Sequence, residues 1–271
     1  MSRRAHIVMS YHNRKAQLLK TLESIDNSKA LDNLNVIIVD DGSNTEQRLE
    51  SIIDNYSFNI TLLRIDPESK DWYNPCVTYN YGFLHLVAND DDIIIIQNPE
   101  CTHNGNILHH ALTNTTDSNY LVYNCASLNE EQTDRYIKTN EFHSALSPDT
   151  ASDPNSYDGV VTWYVHSKFR PKYFHFCSSI TYKNLKKLNG FDIRFKDGHG
   201  FDDDEFSLRV SRLNLDRQFI SEPFVYHLWH ERTSLTDFTK LYKNRDLYNN
   251  ILNNTTNYTA NNNTFFGKKN K

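Results

Sequence analysis

Apolar residues in the first 125 positions alternate between short β-branched runs and stretches with helical spacing. After Lys15, Leu18, Leu22 and Ile25 recur at three- and four-residue intervals, which predicts a helix with one apolar face. Strands are predicted at 6–11, 36–39, 60–65, 93–96 and 121–123, and helices at 15–25 and 76–87. This alternation predicts an α/β fold with a Rossmann-like, mostly parallel central sheet flanked by helices.

The second half of the chain is patterned less regularly. Between 126 and about 160 the periodicity gives way to Ser, Asp, Asn and Pro, and such a long stretch is typical of a lid or a disordered loop. Patterning resumes at 174–182 and continues through a short helix and an acid-rich loop. A helix over 204–212 and a strand near 224–228 follow.

No Pro- or Gly-rich linker divides the chain into self-sufficient parts. We therefore expect one domain over 1–248, with halves at 1–125 and 126–248. The Asn, Thr and Lys residues of 249–271 predict a polar, flexible tail. Because no run of eighteen apolar residues occurs, the sequence predicts no transmembrane segment and a soluble, cytoplasmic protein, in the host cytoplasm if it is viral.

Charge and cysteine usage narrow the function classes. The formal net charge of −5 argues against a protein that wraps nucleic acid with a basic face. The four cysteines show neither CxxC pairing nor zinc-ligand spacing, which predicts buried free thiols. The composition therefore favours small-molecule chemistry.

Polar clusters follow three of the predicted strands. They are the SYHNR segment at 10–14, the DDGS segment at 40–43 and the NPE segment at 98–100. In an open α/β sheet, ligands bind in the crevice at the carboxyl ends of the strands. These clusters are therefore expected to lie together, although a turn after the strand also explains DDGS.

The SYHNR and VIIVDDGS strand ends, with Asn74, Pro75, Asn80 and Gly82 in the pattern NPxxxxNxG, resemble the nucleotide-binding half of family 2 glycosyltransferases and their GT-A relatives. The resemblance implies that the first half binds the nucleotide and the second half the acceptor. Ser10 and Tyr11 would frame the nucleobase, and Asp40 or Asp41 would accept a hydrogen bond from it. The implied nucleotide-binding residues are Ser10, Tyr11, Asn13, Arg14, Asp40, Asp41, Asn74, Asn80 and Asn98. For Asn74 and Asn80, turn and helix-cap roles remain an alternative.

The resemblance also implies a divalent cation, Mn²⁺ or Mg²⁺, on the donor diphosphate. The family carries an Asp-x-Asp motif after the next buried strand, but this chain has Asn98-Pro99-Glu100 there. Glu100 is thus the expected ligand, and His227 or His230 is expected to compensate for the missing carboxylate. His103 is a second candidate. An imidazole ligand would favour Mn²⁺ over Mg²⁺.

The acid-rich loop resembles the family pattern NGFD, a Gly-rich turn, a pair of acids and a helical Arg. Asp202 and Asp203 match the acid pair, which implies that Asp203 is the catalytic base of an inverting enzyme. Displacement at an anomeric carbon requires a carboxylate that takes the proton of the acceptor hydroxyl. An acidic first helical turn stabilised by the helix dipole explains Asp204 and Glu205 without catalysis.

The resemblance thus predicts an inverting hexosyltransferase that moves a sugar from a nucleotide-sugar, first of all a UDP-sugar, to a hydroxyl of a carbohydrate or glycoconjugate acceptor. One alternative is a catalytically degenerate GT-A protein that binds a glycan or a partner. A sugar nucleotidyltransferase is the other alternative. It would need a Gly-rich phosphate loop after the first strand, and SYHNR contains no glycine.

Overall fold

The computed structural model describes residues 3–141, 162–231, 238–262 and 264–268. Their strands are β1 (Ala5–Tyr11), β2 (Leu34–Asp40), β3 (Asn59–Arg64), β4 (Ile93–Gln97), β5 (Cys101–Asn104), β6 (Asn119–Ser127), β7 (Thr162–Val165), β8 (Cys177–Thr181) and β9 (Asp216–His227). Their α-helices are α1 (Lys15–Asp26), α2 (Cys76–Leu84), α3 (Ile107–Asn114), α4 (Glu130–Thr139), α5 (Tyr182–Leu188), α6 (Asp202–Arg212) and α7 (Phe238–Asn254). None of these helices has the length and apolar character that crossing a bilayer requires.

All strands belong to one sheet with the order β3-β2-β1-β4-β8-β6-β9-β5, and β7 pairs with β6. The first four strands in this order are parallel to one another, whereas β8 runs antiparallel to both β4 and β6. Because β2 lies on one side of β1 and β4 on the other, the strand order reverses at β1. This reversal opens a crevice at the carboxyl ends of β1, β2 and β4.

The apolar runs of the first half form the core of the sheet. Every residue of β4 is buried, and β2 is buried from Val36 onward, as expected of strands covered on both faces. Helix α2 lies close to this sheet because Gly82 has no side chain: a Cβ there would lie 2.7 Å from Val8 Cγ1 and 3.1 Å from Val39 Cγ2. The four cysteines are buried and free, which confirms the prediction.

The structure corrects the loop predicted between 126 and 160. Strand β6 continues to Ser127, and α4 follows it with Asn129 and Gln132 in a capping box. Only Thr133 and Tyr136 of this helix are buried, so its apolar periodicity is weak and the capping box is its clearest sequence signal. The remainder of the predicted lid, 142–161, lies outside the described residues.

The predicted frayed tail also differs from the structure. Helix α7 continues across 248, and the residues after it, 255–262 and 264–268, pack on the turn that follows α5; we call them the C-terminal clasp. Asn189 Nδ2 donates to the carbonyls of Ala260 and Thr264, at 2.8 Å each. Phe266 is 2% exposed. Composition could not reveal this packing, because asparagine side chains bind backbone groups that are distant in sequence.

Candidate active site

A cavity of about 610 Å³ opens at the crevice beside β1. Among the predicted nucleotide-binding residues, Ser10, Arg14, Asp41 and Asn98 line its wall. The lining residues that sequence analysis did not identify include Lys70, Trp72 and His199. They belong to irregular segments before α2 and before α6, where no periodicity marks a ligand-facing side chain. The cavity wall therefore consists of the strand ends together with the loops that precede α2 and α6.

The two adjacent carboxylates after the second strand have different environments. Asp40 is fully buried, and it accepts hydrogen bonds from a backbone N–H of the following turn (2.8 Å) and from Arg64 Nη1 (2.6 Å). Asp41 lines the cavity, where its carboxylate accepts hydrogen bonds from Lys70 Nζ (2.7 Å) and Trp72 Nε1 (3.0 Å). Of the two alternatives, the structure brings Asp41 to the cavity and leaves Asp40 holding the turn.

Tyr11 and Asn13 are not among the residues that line the cavity, so their part in nucleotide binding stays a prediction. Tyr11 is buried, and its hydroxyl donates to the Gln47 carbonyl at 2.6 Å. Asn13 has a φ of +51°, and its Oδ1 accepts from the backbone N–H of Asn44 at 2.8 Å. Both side chains thus connect the loop after β1 to neighbouring loops, because backbone groups there need partners.

Asn74 and Asn80 are also buried and are not among the residues that line the cavity, so their part in nucleotide binding stays a prediction. Asn74 Nδ2 donates to Asp202 at 2.8 Å, and Asn74 Oδ1 accepts from the N–H of Cys76 at 2.9 Å. Asn80 bonds both backbone groups of Phe191, at 2.7 and 2.8 Å. The two amides therefore support the acid-rich half of the site from α2.

A buried carboxylate and two histidines meet beside the cavity. Glu100 Oε1 lies 3.1 Å from His227 Nε2 and 3.6 Å from His230 Nε2. Arg14 Nη1 lies 3.0 Å from each Glu100 oxygen, and Asn98 Nδ2 donates to Oε1 at 3.3 Å. Pairing of β5 with β9 produces this arrangement, since it sets the segment before β5 against the end of β9. The structure thus brings together the three residues predicted as metal ligands.

The donor set of this cluster fits a divalent cation. One ligand atom from each of Glu100, His227 and His230 lies within 4.8 Å of the other two. Burial alone would raise the pKa of Glu100, but the charge of Arg14 and the contacts with both histidines hold that pKa well below its usual range. Burial lowers the pKa of His227, which favours its neutral, ligating form. His230 Nδ1 lies 2.9 Å from the Glu231 carbonyl, and a proton on Nδ1 would leave the lone pair of Nε2 for a cation.

His103, the second metal-ligand candidate, is not part of this cluster. Its Nε2 lies 2.9 Å from Gln97 Oε1 inside the core, and burial lowers its pKa to about 3. The sequence separation of three residues from Glu100 was misleading, because β5 directs His103 into the sheet interior.

The acid pair begins helix α6. Asp202 is 5% exposed and accepts a hydrogen bond from Asn74, and burial together with the charge of Asp203 raises the pKa of Asp202 to about 6. The Asp203 side chain is 26% exposed, and its Oδ1 is in ion-pair contact with His175 Nδ1. The backbone N–H of His175 donates to the same oxygen at 2.8 Å. Sequence analysis did not identify His175, which is 28 residues away and carries no local motif.

The helical arginine of the acid-rich pattern has a structural role. Arg209 is buried, forms a bidentate ion pair with Glu205 (2.6 and 2.8 Å), and donates to the carbonyls of Leu188 (2.7 Å) and Gly190 (2.9 Å). It thus ties α6 to the turn after α5. Glu205 therefore has a structural role as the partner of Arg209.

Tyr79 connects the two clusters. Its hydroxyl donates towards Asn98 Oδ1 at 3.0 Å, and its ring packs edge-on against His175 with 5.1 Å between centroids. Because Tyr79 also lines the cavity, a single side chain links that space to the surroundings of both Glu100 and the acid pair of α6.

Solved structures with related folds have low sequence identity to this chain. S. aureus TarS 1–349 matches with a TM-score of 0.61 at 14% identity, over 92% of this chain and 66% of that one. The same protein in complex with UDP-GlcNAc matches with a TM-score of 0.62 at 13% identity, over 92% and 67%. The mannosyltransferase PcManGT from Pyrobaculum calidifontis, in complex with GDP-Man and Mn²⁺, matches with a TM-score of 0.53 at 14% identity, over 86% and 59%.

At such identities these likenesses show the fold, and the chain spans only 59% of the mannosyltransferase. No curated protein sequence matches the chain. A family model described as Glycosyl transferase family 2 matches residues 6–142, which include the strand ends and helix that form the cavity wall. The chain therefore belongs to glycosyl transferase family 2 and has the GT-A fold.

Proposed function

We propose that the chain is an inverting glycosyltransferase that moves a sugar from a UDP-linked donor to a hydroxyl group of a glycan acceptor. A divalent cation, Mn²⁺ in preference to Mg²⁺, is bound by Glu100, His227 and His230, and Asp203 is the base. The observation that carries the proposal is the position of Tyr79, which lines the cavity and contacts both the Asn98 amide beside Glu100 and the His175 ring beside Asp203.

The cavity wall supports nucleotide binding. Asp41 presents a carboxylate that accepts hydrogen bonds from Lys70 and Trp72, and the same oxygens suit a nucleobase N–H. Ser10 lines the cavity nearby. Uridine is the first choice because the TarS structures include complexes with UDP and UDP-GlcNAc.

The Glu100 cluster supports binding of the diphosphate. A cation held there supplies positive charge that stabilises the departing diphosphate. The mixed carboxylate and imidazole ligands suit Mn²⁺, and the PcManGT structure contains Mn²⁺ together with GDP-Man. Arg14 borders both the cavity and Glu100, so its guanidinium adds positive charge at the same place.

The exposure of the acid pair supports Asp203 as the base. Asp202 is buried and bonded to Asn74, whereas the Asp203 side chain is 26% exposed. Asp203 takes the proton of the acceptor hydroxyl while that oxygen attacks the anomeric carbon from the face opposite the nucleotide. A single displacement of this kind inverts the anomeric configuration.

One observation favours a second candidate, a degenerate protein that binds a glycan or a partner. Arg14 makes hydrogen bonds with both oxygens of Glu100, as it would in a chain that binds no metal. Such a protein would bind without turnover.

The test is release of the nucleoside diphosphate from UDP-GlcNAc, UDP-glucose, UDP-galactose and GDP-mannose with Mn²⁺ present. Asp203→Asn should reduce the release rate by about 10²- to 10⁴-fold, the usual contribution of a general base, and leave UDP affinity unchanged. Asp204→Asn, one position along α6, is the matched control and should retain most of the rate. Equal rates in the wild type and Asp203→Asn would refute the base assignment. UDP binding without release from any donor would support the second candidate.

A further inference from the structure

His175 lies immediately before β8 and is 5% exposed. Its imidazole Nδ1 contacts Asp203 Oδ1, and its backbone N–H donates to the same oxygen at 2.8 Å. Two groups of one residue therefore hold one oxygen of the carboxylate. No hydrogen bond to Asp203 Oδ2 is found among the described residues, so the second oxygen is available to a substrate.

Packing fixes the orientation of the His175 ring. Its centroid lies 5.1 Å from the Tyr79 ring, edge-on, and 4.7 Å from the Phe191 ring. The backbone of Phe191 is itself held by two hydrogen bonds: its carbonyl accepts from Asn80 Nδ2, and its N–H donates to Asn80 Oδ1. An imidazole restrained on two sides can hold a carboxylate in one orientation, which a base requires when its substrate must approach along a defined line.

The charges around His175 favour its protonated form. Burial acts to lower the pKa of His175, but the charge and contact of Asp203 and the charge of Asp202 outweigh it and raise the pKa above its ordinary value. From α6 the titratable groups near the ring are thus Asp202 and Asp203. From α2 it is Tyr79, whose hydroxyl is directed to Gln97 and Asn98. An imidazolium beside Asp203 opposes the repulsion between the two adjacent carboxylates.

From these contacts we propose that His175 is the positioning residue of the base: it holds Oδ1 of Asp203, so that Oδ2 can take the proton of the acceptor hydroxyl. This inference rests on the proposed function. In the step itself, the acceptor hydroxyl gives its proton to Asp203 Oδ2 and its oxygen bonds to the anomeric carbon. The bond from that carbon to the diphosphate breaks, and its electron pair leaves with the nucleotide. His175 loses and gains no proton.

The first experiment needs no turnover. Histidine resonances of the ¹⁵N-labelled protein are followed from acidic to alkaline pH, and the His175 signal is assigned by its loss in His175→Asn. We expect His175 to titrate at higher pH in the wild type than in Asp203→Asn, because that substitution removes the facing negative charge. An unchanged His175 titration in Asp203→Asn would overturn the inference, whether or not the protein is a transferase.

The second experiment measures the pH dependence of donor release, with Mn²⁺ and the UDP-sugar that the wild type hydrolyses fastest. His175→Asn retains an uncharged donor near Nδ1, and His175→Ala removes it. We expect kcat at the pH optimum to fall about 10- to 100-fold in the alanine variant and less in the asparagine variant. In both variants the acidic limb should move, because the titrating imidazole in contact with Asp203 is absent, while UDP affinity stays within about twofold.

A buried histidine elsewhere serves as the matched control. His6 on β1 is 2% exposed and contacts Asp92 with 3.6 Å between Nε2 and Oδ2. His6→Asn therefore tests the loss of a buried histidine–carboxylate contact away from the site, and its acidic limb should not move. If the limb stays in place in the His175 variants while UDP still binds, His175 has only a packing role and the inference is wrong. If the wild type neither binds UDP nor releases it, the proposed function fails separately.

Discussion

At the scale of single residues, the partner of each acidic side chain decides what that side chain can do. Asp40 and Asp41 are adjacent, but Arg64 holds the first inside the fold and the second lines the cavity. Asp202 and Asp203 are also adjacent and also differ: Asp202 is buried, whereas the Asp203 side chain is 26% exposed. The sequence therefore identifies each pair of adjacent acidic residues, and the tertiary contacts determine which residue of the pair is accessible to a ligand.

Asp202→Asn should stabilise the fold near neutral pH. Burial and the charge of Asp203 raise the pKa of Asp202 from 3.8 to about 6, so the native state binds this proton more tightly than the unfolded chain. Its contribution to stability is therefore full below pH 4 and is lost as the pH rises through about 6. The amide stays neutral and can still accept from Asn74. We expect the free energy of unfolding in urea to increase by about 2 to 3 kcal/mol at about pH 7.

The same measurement at about pH 3.5 should show no gain, because Asp202 is then protonated in both states. Asp54→Asn, on an exposed residue, is the control and should change the free energy of unfolding by less than about 0.5 kcal/mol at either pH. An equal gain from Asp202→Asn at both pH values would contradict the assigned burial cost.

At the scale of elements, the turn after α5 is held by residues from three parts of the chain. Asn80 of α2 bonds Phe191, and Arg209 of α6 bonds the carbonyl of Gly190. From the C-terminal clasp, Asn261 Nδ2 donates to the carbonyls of Asn189 and Phe191, at 2.9 and 2.7 Å. Gly190 has a φ of +68°, and a Cβ there would lie 2.3 Å from Asn80 Oδ1. The turn that precedes the acid pair is thus part of the packed structure.

Two neighbouring phenylalanines test the C-terminal clasp. Phe266 is 2% exposed and packs against Phe83 with 5.6 Å between ring centroids, whereas Phe265 is 49% exposed. Phe266→Ala should lower the free energy of unfolding by about 3 to 5 kcal/mol, the usual cost of a buried phenylalanine, and Phe265→Ala by less than about 1 kcal/mol. Similar small effects of both substitutions in urea unfolding would show that the clasp is frayed, as its composition predicts.

At the scale of the whole molecule, each half of the sheet contributes one side of the site. The parallel strands β1, β2 and β4 end at the cavity wall, while the ends of β9 and β8 and the start of α6 carry the histidines and the acid pair. The order of strands brings these parts together, because β4 pairs with β8 and β5 pairs with β9. A ligand that binds only the assembled site must therefore stabilise the entire fold.

UDP and Mn²⁺ together should raise the melting temperature. At a ligand concentration 100 times Kd, binding to the native state adds about 2.7 kcal/mol, which corresponds to roughly 5 to 10 °C for a domain of this size. CDP is the matched nucleotide control, because cytosine has no N3–H for Asp41 to accept. Glu100→Gln should abolish the part of the shift that depends on Mn²⁺. Equal shifts of the melting temperature with UDP and CDP would show that Asp41 does not recognise the base through its N3–H.

Local sequence patterns were sufficient to predict the parallel first half of the fold and the polar clusters at its strand ends. Strand period, helix period and the polar residues at strand ends are local signals, and the structure confirms a strand or helix at each place predicted in the first 125 residues. The resemblance to family 2 glycosyltransferases indicated Glu100, His227 and His230 as metal ligands, and the structure brings these three residues together. Helix α4 was missed because few of its residues are buried, so its pattern resembles that of a loop.

Which side chains line the cavity and which support the fold depends on tertiary contacts, and the sequence alone did not reveal these contacts. Asn74 and Asn80 belong to a motif that resembles a nucleotide site, but they bond to α6 and to the turn before it. His175 and Asp203 meet across 28 residues, and the asparagines of the tail meet the turn after α5. Contacts of this kind depend on how strands are ordered and how loops cross between them. Local periodicity does not indicate these contacts, because the polar side chains that form them bind groups that are distant in sequence.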